Sequence, residues 1–435
     1  MPAARADVAV IGAGPAGSVA ALVLARAGAR VALVDKAPFP RDKACGDLVG
    51  PRGIQVLDDL GVRLAGAERV GDMRVVGPSG RSVRLPCRPG RTYPGHGVAL
   101  PRLELDQTLR KAALDAGSIA YTARAGAPIH DGGRLAGFEL SDGGRLQADV
   151  VIGADGATSR VATAAGLVDE HRVLWGFALR SYVDAAIDLP TIVLWDEARW
   201  RGFPGYGWVF PGPGDRANLG VGVGVLGDRT AAGHAARSLG SFVEVLRRYG
   251  LLEGGVRLPP ERLGGWLKMG MVGTIPARGR VLLAGDAAGL VNPLQGEGIS
   301  EALASGRAAA QAVLACPAEP SGGYLSFLAR RYAGFHAANA AIQGALVRRA
   351  RIVAATGRLL TNPVVGRAVA GGWAVYWNEL LDGAMPGAAR NTAVLATAIA
   401  RAATAHGRTR RSVMDALGQD PDRIVTTATA SSPER

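Results

Sequence analysis

Cysteine, aromatic residues and lysine are all scarce in this 435-residue sequence, and the scarcities exclude whole classes of protein. Three cysteines, Cys45, Cys87 and Cys316, are too few and too scattered for a disulfide framework, which points to a reducing compartment. The six histidines show no metal-type spacing and no Cys/His cluster occurs, so no metal site is expected. A GxSxG elbow and a P-loop are both missing. No apolar run reaches the roughly 18 residues a bilayer span needs. The first expected strand starts within a few residues of Met1, leaving no room for a signal peptide. The expected location is therefore the cytoplasm, or the cytoplasmic face of a membrane as a peripheral protein.

What is present is an Ala-, Val- and Leu-rich globular chain, 48% hydrophobic but only 5% aromatic. Lys36, Lys43, Lys111 and Lys268 are the only lysines, an arginine bias better explained by a GC-rich genome than by function. The net charge of +13 is uneven: residues 326–411 carry twelve Arg, Arg330, Arg331, Arg348, Arg349 and Arg351 among them, against Glu379 and Asp382. No recognition-helix pattern and no basic–aromatic interleaving accompany that tract, which argues against nucleic acid. An anionic membrane surface, or a lipid or diphosphate-bearing small molecule, suits the apolar helices there better. A solvated Arg-rich face is the plain alternative.

The N-terminus spells a dinucleotide-binding βαβ unit. Asp7 to Ile11 reads as a buried strand, Gly12-Ala13-Gly14-Pro15-Ala16-Gly17 as a turn, Ser18 to Ala27 as a helix, and Val31 to Val34 as a second strand ending at Asp35 and Lys36. Gly12 makes the turn, Gly14 lets backbone approach a pyrophosphate, and Gly17 lets helix and strand pack closely. The helix start offers N–H groups to phosphates, and Asp35 suits a ribose diol. A second motif selects FAD. Val281-Leu282-Leu283-Ala284-Gly285-Asp286 is a strand ending in an acid that can accept from ribityl hydroxyls, and a glycine-rich helix start follows at Gly296-Glu297-Gly298-Ile299. Amides around Gly298 would face the flavin's pyrimidine edge. Between the two motifs, Val151-Ile152-Gly153-Ala154-Asp155-Gly156 is another strand running into Asp-Gly. Arg102, at the start of a helix with Leu105, Leu109 and Ala113 on one face, is placed to reach FAD phosphates.

The expected fold is α/β (α+β): a Rossmann-like FAD-binding domain from 1–70, 98–165 and 275–318, with an interleaved antiparallel-sheet substrate domain from 71–97 and 166–274. A C-terminal helical region at 319–416 and a disordered tail at 417–435 complete it. In the substrate domain, Tyr206-Gly207-Trp208-Val209-Phe210-Pro211 alternates so that three aromatics share one face. In a chain with so few aromatics, that face reads as the wall of an apolar cavity.

Those three FAD motifs in that order resemble the p-hydroxybenzoate hydroxylase type of flavoprotein. With Lys43-Ala44-Cys45-Gly46-Asp47, the YGWVFP run and Asn292-Pro293-Leu294-Gln295-Gly296-Glu297-Gly298-Ile299 added, residues 5 to 385 resemble the geranylgeranyl reductase family. The run Trp373 to Ala384 is similar to its bacterial branch, menaquinone reductases included. The resemblance implies reduction of prenyl double bonds with FAD, with NAD(P)H or reduced ferredoxin as electron donor and a prenyl lipid or prenyl diphosphate as substrate. It implies Cys45 as the active-site cysteine, also touching FAD through backbone together with Gly46, and Tyr206 and Trp208 as cavity aromatics. Gly212 stands where archaeal members commonly have Lys after FP, and Pro204 lies one position closer to Tyr206 than is usual. A flavin monooxygenase acting on an aromatic or polyketide shares the fold and all three motifs and is the main rival. A halogenase would want WxWxIP and a dedicated lysine. A flavin-free prenyl escort would show a decayed Gly-Asp strand, whereas Asp286 and Gly298 are intact.

Overall fold

The computed structural model describes residues 4–87, 89–90, 92–194, 205–226 and 233–333, and isolated positions between 336 and 366. Two large sheets organise them. In the first, Ala4–Ile11 lies between Arg145–Gly153 and Val31–Asp35, with Val281–Leu283 and Ile119–Thr122 outside them, all parallel. Val8, Ala9, Val10 and Ile11 are buried on both faces, which is why these strands read as unbroken apolar runs. All three sequence motifs therefore end at the same edge, the carboxyl ends of adjacent parallel strands. Ligands of open parallel sheets bind there.

The second sheet has seven strands, ordered Leu263–Met269, Leu174–Asp184, Arg216–Leu226, Gly205–Pro211, Thr191–Val193, Met73–Val76 and Ser82–Leu85. It is antiparallel except where Thr191–Val193 pairs with Met73–Val76. Leu219, Val221 and Val223 point to one face, into a core with Leu239, Phe242 and Leu246 of helix Gly233–Arg248. The opposite face looks toward the FAD-type sheet.

Element boundaries differ from the sequence reading mainly at helix starts. The first helix runs Pro15–Arg26, because proline at the first helical position is pre-set for helical φ. Of the C-terminal helical region expected at 319–416, the described residues include helix Ser321–Leu328 and a π-helical turn Ala329–Ala333. Beyond it, Arg348, Arg349 and Arg351, the Trp373–Ala384 run and the tail lie outside the described residues. Among those described, no helix is long and apolar enough to cross a membrane, and no His/Cys/Asp/Glu group could hold a metal ion.

Where the sheets meet, Lys268 on the edge strand Leu263–Met269 is 1% exposed. Its Cγ lies 3.5 Å from the point where a side chain on Gly289 would begin. Burial lowers its pKa to about 8, with Asp155, Asp286 and Glu170 pulling the other way. The unfolded chain therefore holds this proton up to the ordinary lysine range, while the folded chain releases it near pH 8. Stability should rise with pH between those limits, by about 1.4 kcal/mol per pH unit for one proton. Lys268→Met should abolish that rise and stabilise the protein near pH 7 by on the order of 3 kcal/mol. Denaturant unfolding at pH 7, 8, 9 and 10 checks both; parallel pH curves for the two proteins would count against it.

Candidate flavin and substrate site

The phosphate turn is built by contact. Gly12 has φ 102°, and a Cβ there would lie 2.2 Å from the Ala154 carbonyl oxygen. A Cβ on Gly17 would lie 1.8 Å from the Gly12 oxygen, so close helix–strand packing demands this glycine. Ala16 is buried against Gly306, whose own Cβ would strike the Ala16 oxygen at 2.1 Å. Gly14 is different. A side chain there would meet nothing nearer than the Arg41 guanidinium at 3.6 Å and that of Arg102 at 4.0 Å. Protein packing leaves room for a Cβ; a ligand laid against the backbone would take that room.

Charge is arranged around this opening. Helix Pro15–Arg26 has no side-chain cap on its N-cap residue Gly14, so its amides suit phosphate oxygens. Asp106, with no exposed surface, takes the Arg102 Nε and Nη2 groups at 2.7 Å each and the Arg41 Nη1 group at 2.8 Å. Burial opposes the Arg102 charge, but Asp106 outweighs it and holds the guanidinium protonated, with Cys45 contributing. Asp35 accepts from the Ala13 and Ala37 amides at 2.9 and 3.0 Å. The lone pairs left over are those a ribose diol would use. Lys36 is exposed and does not line the cavity.

Asp286 lies on the cavity wall, paired with Lys43 at 3.1 Å, and Gly296, Gly298 and Ile299 line the same wall. Gly298 is the N-cap of helix Ile299–Ala315 and carries no side-chain cap. Asp155 is turned away: its carboxylate accepts from Ser159 Oγ at 2.5 Å and from the amides of Arg160 and Val161 at 2.7 and 3.2 Å. It anchors helix Arg160–Ala164 and is absent from the cavity lining. What remains could hold an extended dinucleotide: Gly14, Arg41 and Arg102 would suit its diphosphate, Asp286 its ribityl hydroxyls and the Gly298 amide its ring edge.

That cradle opens into one cavity of about 290 Å³, which runs from Pro15, Arg102, Asp286 and Gly298 to the second sheet. Its roof is the flavin-facing side of the second sheet, where Gly176 pairs with Gly224 and Ala178 with Gly222. The missing side chains leave the space. Tyr206, Trp208 and Phe210 form the wall as expected, and Trp208 lies flat over Gly220, whose Cβ would sit 2.1 Å from the indole. The Tyr206 hydroxyl donates to the Gln295 carbonyl, so what this residue offers the cavity is its ring. Burial, then Cys45 and Glu297, pushes its pKa up.

Cys45 and Gly46 form part of the lining, so Cys45 stands between the aromatic wall and Arg102. Burial pushes the thiol pKa up, Arg102 acts the other way, and Asp47 raises it through its charge more than it lowers it through its amide. Sequence reading passed over Arg41, Asp106, Asp47, Asn218 and Lys268. The last three did carry a signal, being lone polar residues beside glycine or within apolar strands. Gly14→Val should fill the space against the phosphate turn, and Asp286→Ala should remove the ribityl acceptor. Both are expected to purify with less than half the bound flavin of the parent, by absorbance against protein. Full flavin content in both would sink the cofactor assignment.

Comparison with known proteins agrees with this geometry. Residues 5–316 match the family model described as FAD binding domain. The chain is 39% identical over 317 residues to "Menaquinone reductase" of Mycolicibacterium smegmatis, covering 71% of this chain and 76% of the relative. It is 34% identical over 326 residues to "Digeranylgeranylglycerophospholipid reductase 1" of Methanopyrus kandleri, covering 70% and 79%. A "geranylgeranyl bacteriochlorophyll reductase-like" protein of Thermoplasma acidophilum superposes with TM-score 0.69 over 95% of this chain and 99% of that one, at 22% identity, which speaks to the fold alone. The three FAD motifs, the Cys45 turn and these relatives together place the chain in the geranylgeranyl reductase family of FAD-dependent oxidoreductases.

Proposed function

We propose that this enzyme reduces carbon–carbon double bonds of a prenyl chain, either the isoprenoid tail of a menaquinone or a geranylgeranyl group. The observation that carries the reading is the glycine-roofed, largely apolar end of the cavity, with one cysteine in its wall, continuous with the end that carries Asp286 and Gly298. The names of the relatives support it. An unactivated trisubstituted alkene has no carbonyl to accept charge, so its reduction needs a proton at one carbon and a hydride at the other. Bound reduced FAD supplies the hydride.

The chain's own residues supply the rest. Cys45 keeps its proton at neutral pH because burial raises its pKa. On giving that proton to the less substituted alkene carbon, its sulfur becomes an anion that the Arg102 guanidinium stabilises, while the Asp47 charge beside it favours the protonated resting thiol. Positive charge developing at the more substituted carbon meets the faces of Tyr206 and Trp208, whose ring quadrupoles favour it. Gly176, Gly222 and Gly224 give the remaining isoprene units an apolar path. The electron donor is NAD(P)H or reduced ferredoxin, docking transiently. The Arg-rich tract at 326–411 holds the enzyme to anionic lipid while it draws on a membrane-borne substrate; flotation with anionic but not neutral vesicles, weakened by salt, is the expected result.

The decisive experiment is anaerobic single turnover: flavin reduced chemically, then reoxidised by menaquinone or geranylgeranyl diphosphate, with product bonds located by mass spectrometry. Cys45→Ala should retain FAD and slow this step on the order of 100-fold, the usual scale of a lost general acid. In the parent the step should hold through neutral pH and decline only on the alkaline side of the ordinary thiol range. Gly222→Val should leave flavin content intact and weaken use of long chains roughly 10-fold or more, since its added carbons project into the cavity. Reoxidation by O₂ with a hydroxylated product, and by no prenyl compound, would overturn the reading in favour of a monooxygenase.

A further inference from the structure

Behind the aromatic wall, Asn218 and Tyr182 belong to a buried polar network, and the proposed chemistry gives neither a role. Its centre is Asn218, which has no exposed surface and lies in strand Arg216–Leu226 just before the glycine–valine alternation. Its Oδ1 accepts from the Trp208 indole N–H at 2.9 Å. Its Nδ2 donates to the Cys45 carbonyl at 2.8 Å and to Asp47 Oδ2 at 2.7 Å. A short side chain that accepts once and donates twice must be a carboxamide, so asparagine is dictated by its three partners.

The far end of the network is built with equal care. Asp47 Oδ2 also accepts from the Tyr182 hydroxyl at 2.5 Å, and Oδ1 from the Arg102 amide at 3.3 Å. Asp47 has φ 63°, a left-handed conformation that costs an L-residue about 1 kcal/mol or more. These bonds offset that cost, and the bend they hold turns Cys45 toward the cavity. The turn also lies flat on the wall: a Cβ on Gly46 would sit 2.9 Å from the Phe210 ring. A prenyl chain offers several trisubstituted double bonds of nearly identical reactivity. Selecting one of them requires the surface that seats the chain and the thiol that protonates it to keep a fixed separation. Trp208 belongs to that surface, Cys45 is the thiol, and Asn218 bonds directly to both residues.

We infer that Asn218 is a positioning residue that locks the Trp208 indole and the Cys45 turn into one unit and thereby fixes which double bond is reduced, with Asp47 and Tyr182 anchoring the turn. The choice of double bond rests on the prenyl reductase reading; the lock itself does not. The test uses holoenzyme lacking Cys87 and Cys316, with Asn218→Ala, Asn218→Asp, Tyr182→Phe and Trp208→Phe, and the double variant of Asn218→Ala with Trp208→Phe. The rate of Cys45 alkylation by iodoacetamide against pH reports the turn without any substrate. Asn218→Ala and Asn218→Asp are each expected to change it roughly 5-fold or more and to shift its pH midpoint, and Trp208→Phe to change it in the parent but not in the Asn218→Ala background. Single turnover should then show the product spread over more than one double bond in the Asn218 variants. Should both Asn218 variants lose FAD, Tyr182→Phe, which removes one hydroxyl, carries the same comparison with Trp208→Phe. Unchanged alkylation, or effects of Trp208→Phe and the network variant that simply multiply, would overturn the lock. Coupled alkylation in a protein that no prenyl compound reoxidises would keep the lock and discard the prenyl reading.

Discussion

A guanidinium taken out of water must be met by a carboxylate, and the site depends on Asp106 doing this for Arg102. Both groups are buried, with two bonds of 2.7 Å between them, and Asp106 holds Arg41 as well. A lone buried cation would be several kcal/mol uphill, whereas a well-bonded pair is tolerated. The pairing leaves a partly neutralised edge of two guanidinium groups against Gly14, suited to a diphosphate, and places Arg102 against Cys45. One carboxylate on one helix thus orients the phosphate end of the cradle and the thiol end of the cavity.

The substrate side follows from a different constraint. In the strand Arg216–Leu226, side chains alternate between a valine face and a glycine face. The valine face is buried against helix Gly233–Arg248, so a one-residue slip in register would bury the glycines and expose the valines. Core packing therefore fixes the register, and the register places Gly220 under Trp208 and Gly222 and Gly224 over the cavity. The void is held open by stability on the opposite face.

How far this could be read beforehand depended on the range of each interaction. Gly12 to Gly17 work within six residues of one another, so their spacing alone disclosed turn, helix and phosphate end. Tyr206, Trp208 and Phe210 were legible because a strand's period of two is local. A strand ending in Asp-Gly suggests a cofactor ligand at Asp155; that its carboxylate also bonds the start of the next helix depends on the backbone path and is not legible in the motif. Arg41 and Asp106 are 65 residues apart in sequence, and Asn218 is 173 from Cys45. Nothing in a linear pattern joins them; the packing of helix Arg102–Asp115 on helix Pro15–Arg26 makes the first pair, and the meeting of the second sheet with the Cys45 turn makes the other. Lys268 was visible as one of four lysines, yet its burial arises only where the edge strand meets the Asp286 turn.

The proton-donor role proposed for Cys45 shows why these elements belong together. A proton donor for an alkene must hold its proton in the resting enzyme and release it only as the carbon accepts it. Burial alone satisfies the first requirement and defeats the second, because a bare buried thiolate is costly. A strong neighbouring cation alone would do the reverse and strip the thiol early, as at cysteine nucleophiles. Here the two act together: burial and the Asp47 charge set the resting state, while Arg102, its charge already tempered by Asp106, stands ready for the anion. The balance holds only while the turn keeps its place, and that place is set from the substrate sheet through Asn218 and Tyr182. Proton transfer chemistry, cavity shape and the docking of the two sheets are consequently one constraint, met at a three-residue turn.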